Sequence, residues 1–286
     1  MSGKTVVITG ASSGIGFVTA RELAKLGADV VMLVRNAERG ESARHAIASA
    51  APGAAVSVVL CDLADLSSVR EAATKVAARW PRIDVLSNNA GAIFGKRRLT
   101  PDGFEMTFQV NHLAHFLLTN LLLPNLLAAS PSRVISVSSG AHLAARGGLP
   151  FDDLMLERGW RSFRAYANSK LANVLFAYEL ARRLETTNVT SNAVHPGLVA
   201  TAFGQQETYV IGRFYTLTKR LQLTPDEGAD TEIYLASSPD VAQVTGRYFY
   251  RRQPRDSSPA SRDPEAARRL WDVSAKLVGL GDGGGG

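Results

Sequence analysis

Tyr166 and Lys170 stand four positions apart in "RAYANSKLANVLF" (164–176). At 3.6 residues per turn, positions i and i+4 share a helix face, so both polar heads can enter one site. Leu171, Ala172, Val174, Leu175 and Tyr178 continue a helix whose apolar face should be buried. A desolvated lysine aimed near a phenol favours the phenolate and makes the tyrosine a better acid or base near neutral pH. A surface lysine beside a core tyrosine would leave the same pattern, so the rest of the chain must decide.

A second cluster is the loop "TGASSGIG", in which Gly10, Gly14 and Gly16 surround Ser12, Ser13 and Ile15. Glycines at this spacing, between a strand and a helix, permit a tight turn and close approach of the backbone to a pyrophosphate. The helix then offers free N–H groups and the positive end of its dipole. An acidic residue at the end of the second strand would bind the ribose of NAD(H). Here Val34 is followed by Arg35, with Arg39 one turn on. A guanidinium chelates a 2′-phosphate that a carboxylate would repel, so NADP(H) is preferred over NAD(H). Asp62 and Leu63, in "CDLADL", close the third strand at the same edge, where Asp62 can accept from an adenine amino group or cap a helix. His112 and His115 share an apolar helix without a carboxylate partner, which favours packing over metal binding, and no metal is expected.

The elements that must position these groups are legible as apolar β-type runs at 5–10, 28–34, 55–60, 83–90, 133–139, 189–197 and 246–250. Helical patterns such as 16–27 and 68–80 separate most of them. Strands apolar throughout, alternating with helices, predict an α/β fold: a doubly wound sheet of about seven parallel strands with helices on both faces. A single domain is expected over 1–280, followed by a flexible glycine-rich tail at 281–286.

The 286 residues are 45% hydrophobic and 20% charged, enough to bury a sizeable core. The one cysteine, Cys61, excludes an intramolecular disulfide and a cysteine-based zinc site. The opening "MSGKTVVITG" leads straight into a strand, so no signal peptide or membrane anchor is expected, and the localisation expected is cytoplasmic. The net charge of +6 comes from scattered arginines, including Arg97–Arg98, Arg182–Arg183, Arg251–Arg252 and Arg268–Arg269. No aromatic-interleaved basic stretch accompanies them, which argues against nucleic acid as a partner.

Taken together, "TGASSGIG", "NNAG" (88–91), Asn111 in "QVNHLAHF", Ser139 in "RVISVSSGAH", "YANSK" (166–170) and "HPGLVAT" (195–201) resemble the short-chain dehydrogenases/reductases, most closely the branch of retinol dehydrogenases and the WW-domain oxidoreductase. The resemblance implies a Rossmann-type fold, a nicotinamide cofactor and carbonyl–alcohol interconversion. It assigns Tyr166 as acid/base, Lys170 as the lysine that holds the cofactor ribose, Ser139 as the carbonyl-binding serine and Asn111 as the helix asparagine. Ser139 is chosen over Ser138 as the last of the strand-end pair. Asn88 is expected to be structural, with Asn89, Ala90 and Gly91 beside the adenosine. Pro196, Gly197, Val199 and Thr201 are expected beside the nicotinamide, and the backbone of "HPG" to matter more than the His195 imidazole.

The spacing from Ser139 to Tyr166, 27 positions (166 − 139), exceeds what the wider family usually shows. The added residues could line the substrate cleft, block a helix face used for dimerisation, or both; monomer or dimer is expected before tetramer. Specificity should lie in 92–103, 141–164 and 202–224, with Phe94, His142, Leu143, Trp160, Phe163, Phe203 and Phe214 as candidate pocket residues. For His142 a loop-structural role competes. Such a pocket suits a bulky hydrophobic ketone or aldehyde. An Ala- and Arg-rich composition makes a polyketide-type aromatic ketone the first expectation, with a retinoid or steroid, or a non-catalytic NADP(H)-binding regulator, as alternatives.

Overall fold

The computed structural model describes residues 1–199 and 223–281. The strands β1 (Thr5–Thr9), β2 (Asp29–Val34), β3 (Val56–Leu60), β4 (Val85–Asn88), β5 (Ser132–Val137), β6 (Val189–Val194), β7 (Tyr248–Tyr250) and β8 (Gln253–Arg255) form one sheet in the order β3-β2-β1-β4-β5-β6-β7-β8. The first seven run parallel, as their uninterrupted apolar character predicts. The eighth extends that expectation. It returns antiparallel from β7 through Arg251 and Arg252, both at positive φ (51° and 60°), as a two-residue hairpin turn of the primed type demands. Hydrogen bonds from the Arg252 side chain to Asp230, and from its backbone N–H to Thr231 Oγ1, hold that turn.

Alternation along each strand sorts the core into two layers. Val6 and Ile8 face α1 (Gly14–Lys25), α2 (Ala37–Ala50) and, beyond them, α6 (Pro225–Ser237). Val7, between them, faces the layer of α3 (Leu66–Arg79), α4 (Ala114–Ala129), α5 (Ser162–Arg183) and α7 (Pro264–Leu277). Each side chain of this kind contributes about 1.5–3 kcal/mol on burial. Trp271 of α7 packs 4.9 Å from Phe116 and 5.9 Å from Phe176, ring centroid to centroid, so the last helix covers the outer face of α4 and α5. The stretch Met106–Ala129 is long and apolar enough to cross a membrane by composition, but 67% of its most apolar window is buried in the fold.

Two local features prepare the site. Residues Gln109–Leu113, just before α4, form a π-turn that widens the helix at Asn111. The segment between Ser139 and Tyr166 is fastened to the loop after β4. Arg97 donates to the carbonyls of Leu156 (3.2 Å) and Met155 (3.2 Å), and Trp160 Nε1 donates to buried Glu105 (3.2 Å).

Candidate active site

The loop after β1 is built for an anion. Gly10 and Gly14 sit at φ +69° and +58°, where a side chain would be strained. A Cβ on Gly16 would lie 2.4 Å from Asn89 Nδ2 and 2.7 Å from Gly10 O, so the loop closes tightly on the strap after β4. Asn89 braces that contact by donating from Nδ2 to Thr9 O at 2.7 Å. Ser13 precedes α1 without a side-chain capping bond, and the first turn carries no acidic residue. The helix N-terminus thus keeps its N–H donors and positive dipole for a ligand, and the cradle fits a dinucleotide pyrophosphate. On the α6 side, Val199 and Ile15 converge on Gly228, where a Cβ would meet Val199 Cγ2 at 2.5 Å and Ile15 Cγ1 at 3.3 Å. Gly197, at φ +92°, turns the chain after β6.

Across the sheet's carboxyl edge, α5 delivers Tyr166 and Lys170. Lys170 is 2% exposed, and its Nζ donates to Val137 O at 2.9 Å and lies 5.7 Å from the centre of the Tyr166 ring. Burial lowers its pKa to about 8. A Cβ on Gly91 would lie 3.0 Å from that ammonium, so the strap passes directly over it. Ser138 is buried and spends its hydroxyl on Lys170 O (2.7 Å), fixing the lysine's backbone. Ser139 is the half-buried member of the pair; its Oγ accepts from Ala141 N at 3.2 Å and retains its proton for another acceptor. Asn111 is fully buried. Its amide exchanges hydrogen bonds with Ala92 (2.7 and 2.9 Å) and donates to Ser169 Oγ (2.9 Å). This combination of anion cradle, phenol and desolvated ammonium can bind a dinucleotide and move a proton beside it.

The short chain dehydrogenase profile matches residues 4–151. Human retinol dehydrogenase 14 is 47% identical over 98% of this chain and 88% of its own. The chain belongs to the short chain dehydrogenase family. It is an oxidoreductase of a family that binds nicotinamide cofactors. An uncharacterized protein of Mycobacterium Paratuberculosis, seen in a crystal structure, superposes with a TM-score of 0.78 at 38% identity, covering 97% of this chain and 94% of that one. A blue fluorescent protein from a metagenomic library, crystallised with NADPH, gives 0.70 at 26% identity, over 87% and 96%.

Several positions of this dehydrogenase differ from what the sequence suggests. His142 takes the loop-structural role: it is 1% exposed, its Nδ1 donates to Ser139 O (2.7 Å), and its Nε2 accepts from Ser258 N (3.1 Å). It ties the turn after Ser139 to the C-terminal segment, and burial lowers its pKa, keeping Nε2 an acceptor. The His195 imidazole matters more than expected. Its Nδ1 accepts from both Gly140 N and Gly197 N at 3.2 Å, and its ring stacks on Tyr250. Burial, aided by His142, takes it down to about 4. Trp160 has its N–H committed to Glu105 and anchors the added segment.

Phe94 is half-buried, whereas Leu143 and Phe163 are 53% and 57% exposed. Phe163 lines a groove with Ala144, Ala145, Arg161, Arg164 and Asn168. Asp62 accepts from Ala64 N at 3.0 Å and is not the cap of α3; Asp65 is. Asn88 is structural as expected, donating to Thr119 Oγ1 at 2.9 Å. Arg35 and Arg39 are exposed beyond β2, beside Asn36, which caps α2. Among the described residues no cluster of metal-ligating side chains occurs. Thr201, Phe203 and Phe214 lie outside the described residues.

Proposed function

We propose that this protein is an NADP(H)-dependent dehydrogenase that interconverts a bulky lipophilic alcohol and its carbonyl compound, of the retinoid type. The observation that carries the chemistry is the buried ammonium of Lys170 beside the ring of Tyr166, at the carboxyl edge of the sheet and next to Ser139. The nicotinamide, when bound, supplies or takes up the hydride. Tyr166 gives the carbonyl oxygen its proton during reduction and removes the alcohol proton during oxidation. Lys170, charged below about pH 8, favours the tyrosinate and holds the nicotinamide ribose hydroxyls. Ser139 donates to the oxygen on which negative charge develops. Asn111 fixes the strap that passes over Lys170.

The substrate class rests on similarity to retinol dehydrogenase 14 over nearly the whole chain, which favours a retinoid-like substrate over a polyketide-type aromatic ketone. NADP(H) is supported by Arg35, which is exposed where an acidic residue would otherwise select NAD(H). A substrate panel tests both parts. The expectation is rapid NADPH consumption with retinal and slower consumption with aromatic ketones and steroids. Arg35→Asp should reverse the cofactor preference in kcat/KM. Turnover confined to aromatic ketones would refute the substrate class, and a preference of the native protein for NADH would refute the role of Arg35.

A further inference from the structure

His115 lies in the first turn of α4, is 2% exposed, and takes no part in the proton transfer proposed above. Its two ring nitrogens have different partners. Nδ1 lies 3.1 Å from Asn111 O, a carbonyl that can only accept, so Nδ1 carries the hydrogen. Nε2 lies 2.9 Å from Thr9 Oγ1. That hydroxyl already accepts from Asn89 N (3.0 Å) and Ala90 N (2.9 Å); of the two acceptors in reach of its own hydrogen, the ring at 2.9 Å is closer than Ser87 O at 3.4 Å and takes it. Burial, together with the nearby charge of Lys170, lowers the imidazole to about 4 against the opposing pull of the Asn111 carbonyl, so the ring is neutral at physiological pH. One tautomer satisfies both contacts. A ring so fixed passes on no proton and acts as a rigid strut.

The strut closes a circuit. From Thr9, the residue before Gly10, hydrogen bonds reach the strap at Asn89 and Ala90, and they also reach His115. From His115 the circuit continues to Asn111, whose amide grips Ala92 at the far end of the same strap. The Asn111 amide also donates to Ser169 Oγ, which donates in turn to Tyr166 O at 2.8 Å. Gly91, in the middle of the strap, passes over Lys170 Nζ. The anion cradle and the Tyr166–Lys170 pair are therefore joined through one imidazole inserted at a π-turn, where the helix ladder is widened and side chains can bond the backbone.

We infer that His115 is a positioning residue, a strut that sets the distance between the dinucleotide strap and the Asn111–Lys170–Tyr166 group. The inference rests on the proposed hydride chemistry for its rate effect and on the geometry alone for its binding effect. His115→Leu removes both hydrogen bonds, whereas His115→Asn restores a donor near the position of Nδ1. Displacement of reacting groups by about 1 Å costs on the order of 100-fold in rate. His115→Leu in the full-length protein should therefore lower kcat roughly 10- to 100-fold with little change in the carbonyl KM. It should also displace the alkaline limb of the kcat profile and weaken NADPH binding, followed by nucleotide fluorescence, by roughly 10-fold. His115→Asn, which keeps the contact to Asn111 O but not the one to Thr9, should recover the limb and leave the affinity weakened.

Nitrogen-15 NMR of the wild-type ring should show a neutral imidazole protonated at Nδ1. Hydrogen on Nε2 would overturn the strut. So would equal losses of thermal stability in both variants with an unmoved pH limb and unchanged NADPH affinity, since that is the result of packing alone. If no carbonyl is turned over by the wild type, the proposed function fails by itself. The strut is then judged on NADPH affinity and tautomer: weakening by both Leu and Asn, with Nδ1 protonated in the wild type, supports it, and unchanged affinity overturns it.

Discussion

Glu232, on α6, is a carboxyl buried to 1% exposure against β4 and α1. Ser87 Oγ donates to its Oε1 at 2.5 Å, while Oε2 has no hydrogen-bond partner among the described residues. Burial pushes the group up from its ordinary 4.5 to about 7, against the stabilising hydroxyl of Ser87. Below pH 4.5 folded and unfolded chains are both protonated, and the group has no effect on stability. Between 4.5 and 7 the unfolded chain releases the proton that the folded chain keeps, so stability falls as pH rises; above 7 the full loss is in place. At 1.36 kcal/mol per unit, a difference of about 2.5 units amounts to roughly 3 kcal/mol.

Glu232→Gln keeps the shape and the acceptor for Ser87 but cannot ionise. The variant should match the wild type near pH 4.5 and exceed it by up to roughly 3 kcal/mol at pH 8. Urea unfolding followed by circular dichroism at pH 5, 6.5 and 8 reads this directly. A difference that does not grow with pH, or a variant less stable at pH 8, would refute the buried neutral carboxyl.

Other expectations follow from single contacts. Gly16→Ala places a Cβ against Asn89 and the Gly10 carbonyl; it should cost about 1–3 kcal/mol in stability and weaken NADPH binding, measured by thermal melting and nucleotide fluorescence. His195→Leu leaves the N–H groups of Gly140 and Gly197 without their acceptor and should destabilise the fold by about 2 kcal/mol or more in thermal melts. Lys170 loses its charge as pH rises through about 8, so kcat/KM of the free enzyme should fall above that pH; Lys170→Arg should be slower but keep its rate to higher pH.

The glycine loop and the Tyr166–Lys170 pair were legible because their chemistry lies in local spacing, and the seven parallel strands because each is an apolar run flanked by turn or helix signals. Strand β8 was not: "QPR" has no β character, and only the turn at Arg251–Arg252 brings it back onto β7. The imidazoles were equally opaque. His195 pairs with Gly140, 55 positions away, and His115 with Thr9, 106 away, each through groups that periodicity does not reveal. Glu105 and Trp160 show why the added segment could not be placed, since the contact that fixes it spans 55 positions. Ser138 and Ser139 are equivalent by composition; they differ in that Ser138 donates to Lys170 O, 32 positions away, a contact that local spacing does not reveal.

Tyr166, beside the buried Lys170, is proposed to transfer the proton that accompanies hydride transfer. The most direct measurement is single-turnover oxidation of protein-bound NADPH by retinal, comparing wild type with Tyr166→Phe after equal NADPH binding has been verified. Rapid oxidation is expected of the wild type, and a rate at least about 1,000-fold lower of the variant, whose ring remains but whose phenolic proton is gone. Oxidation at similar rates in the two proteins would contradict it.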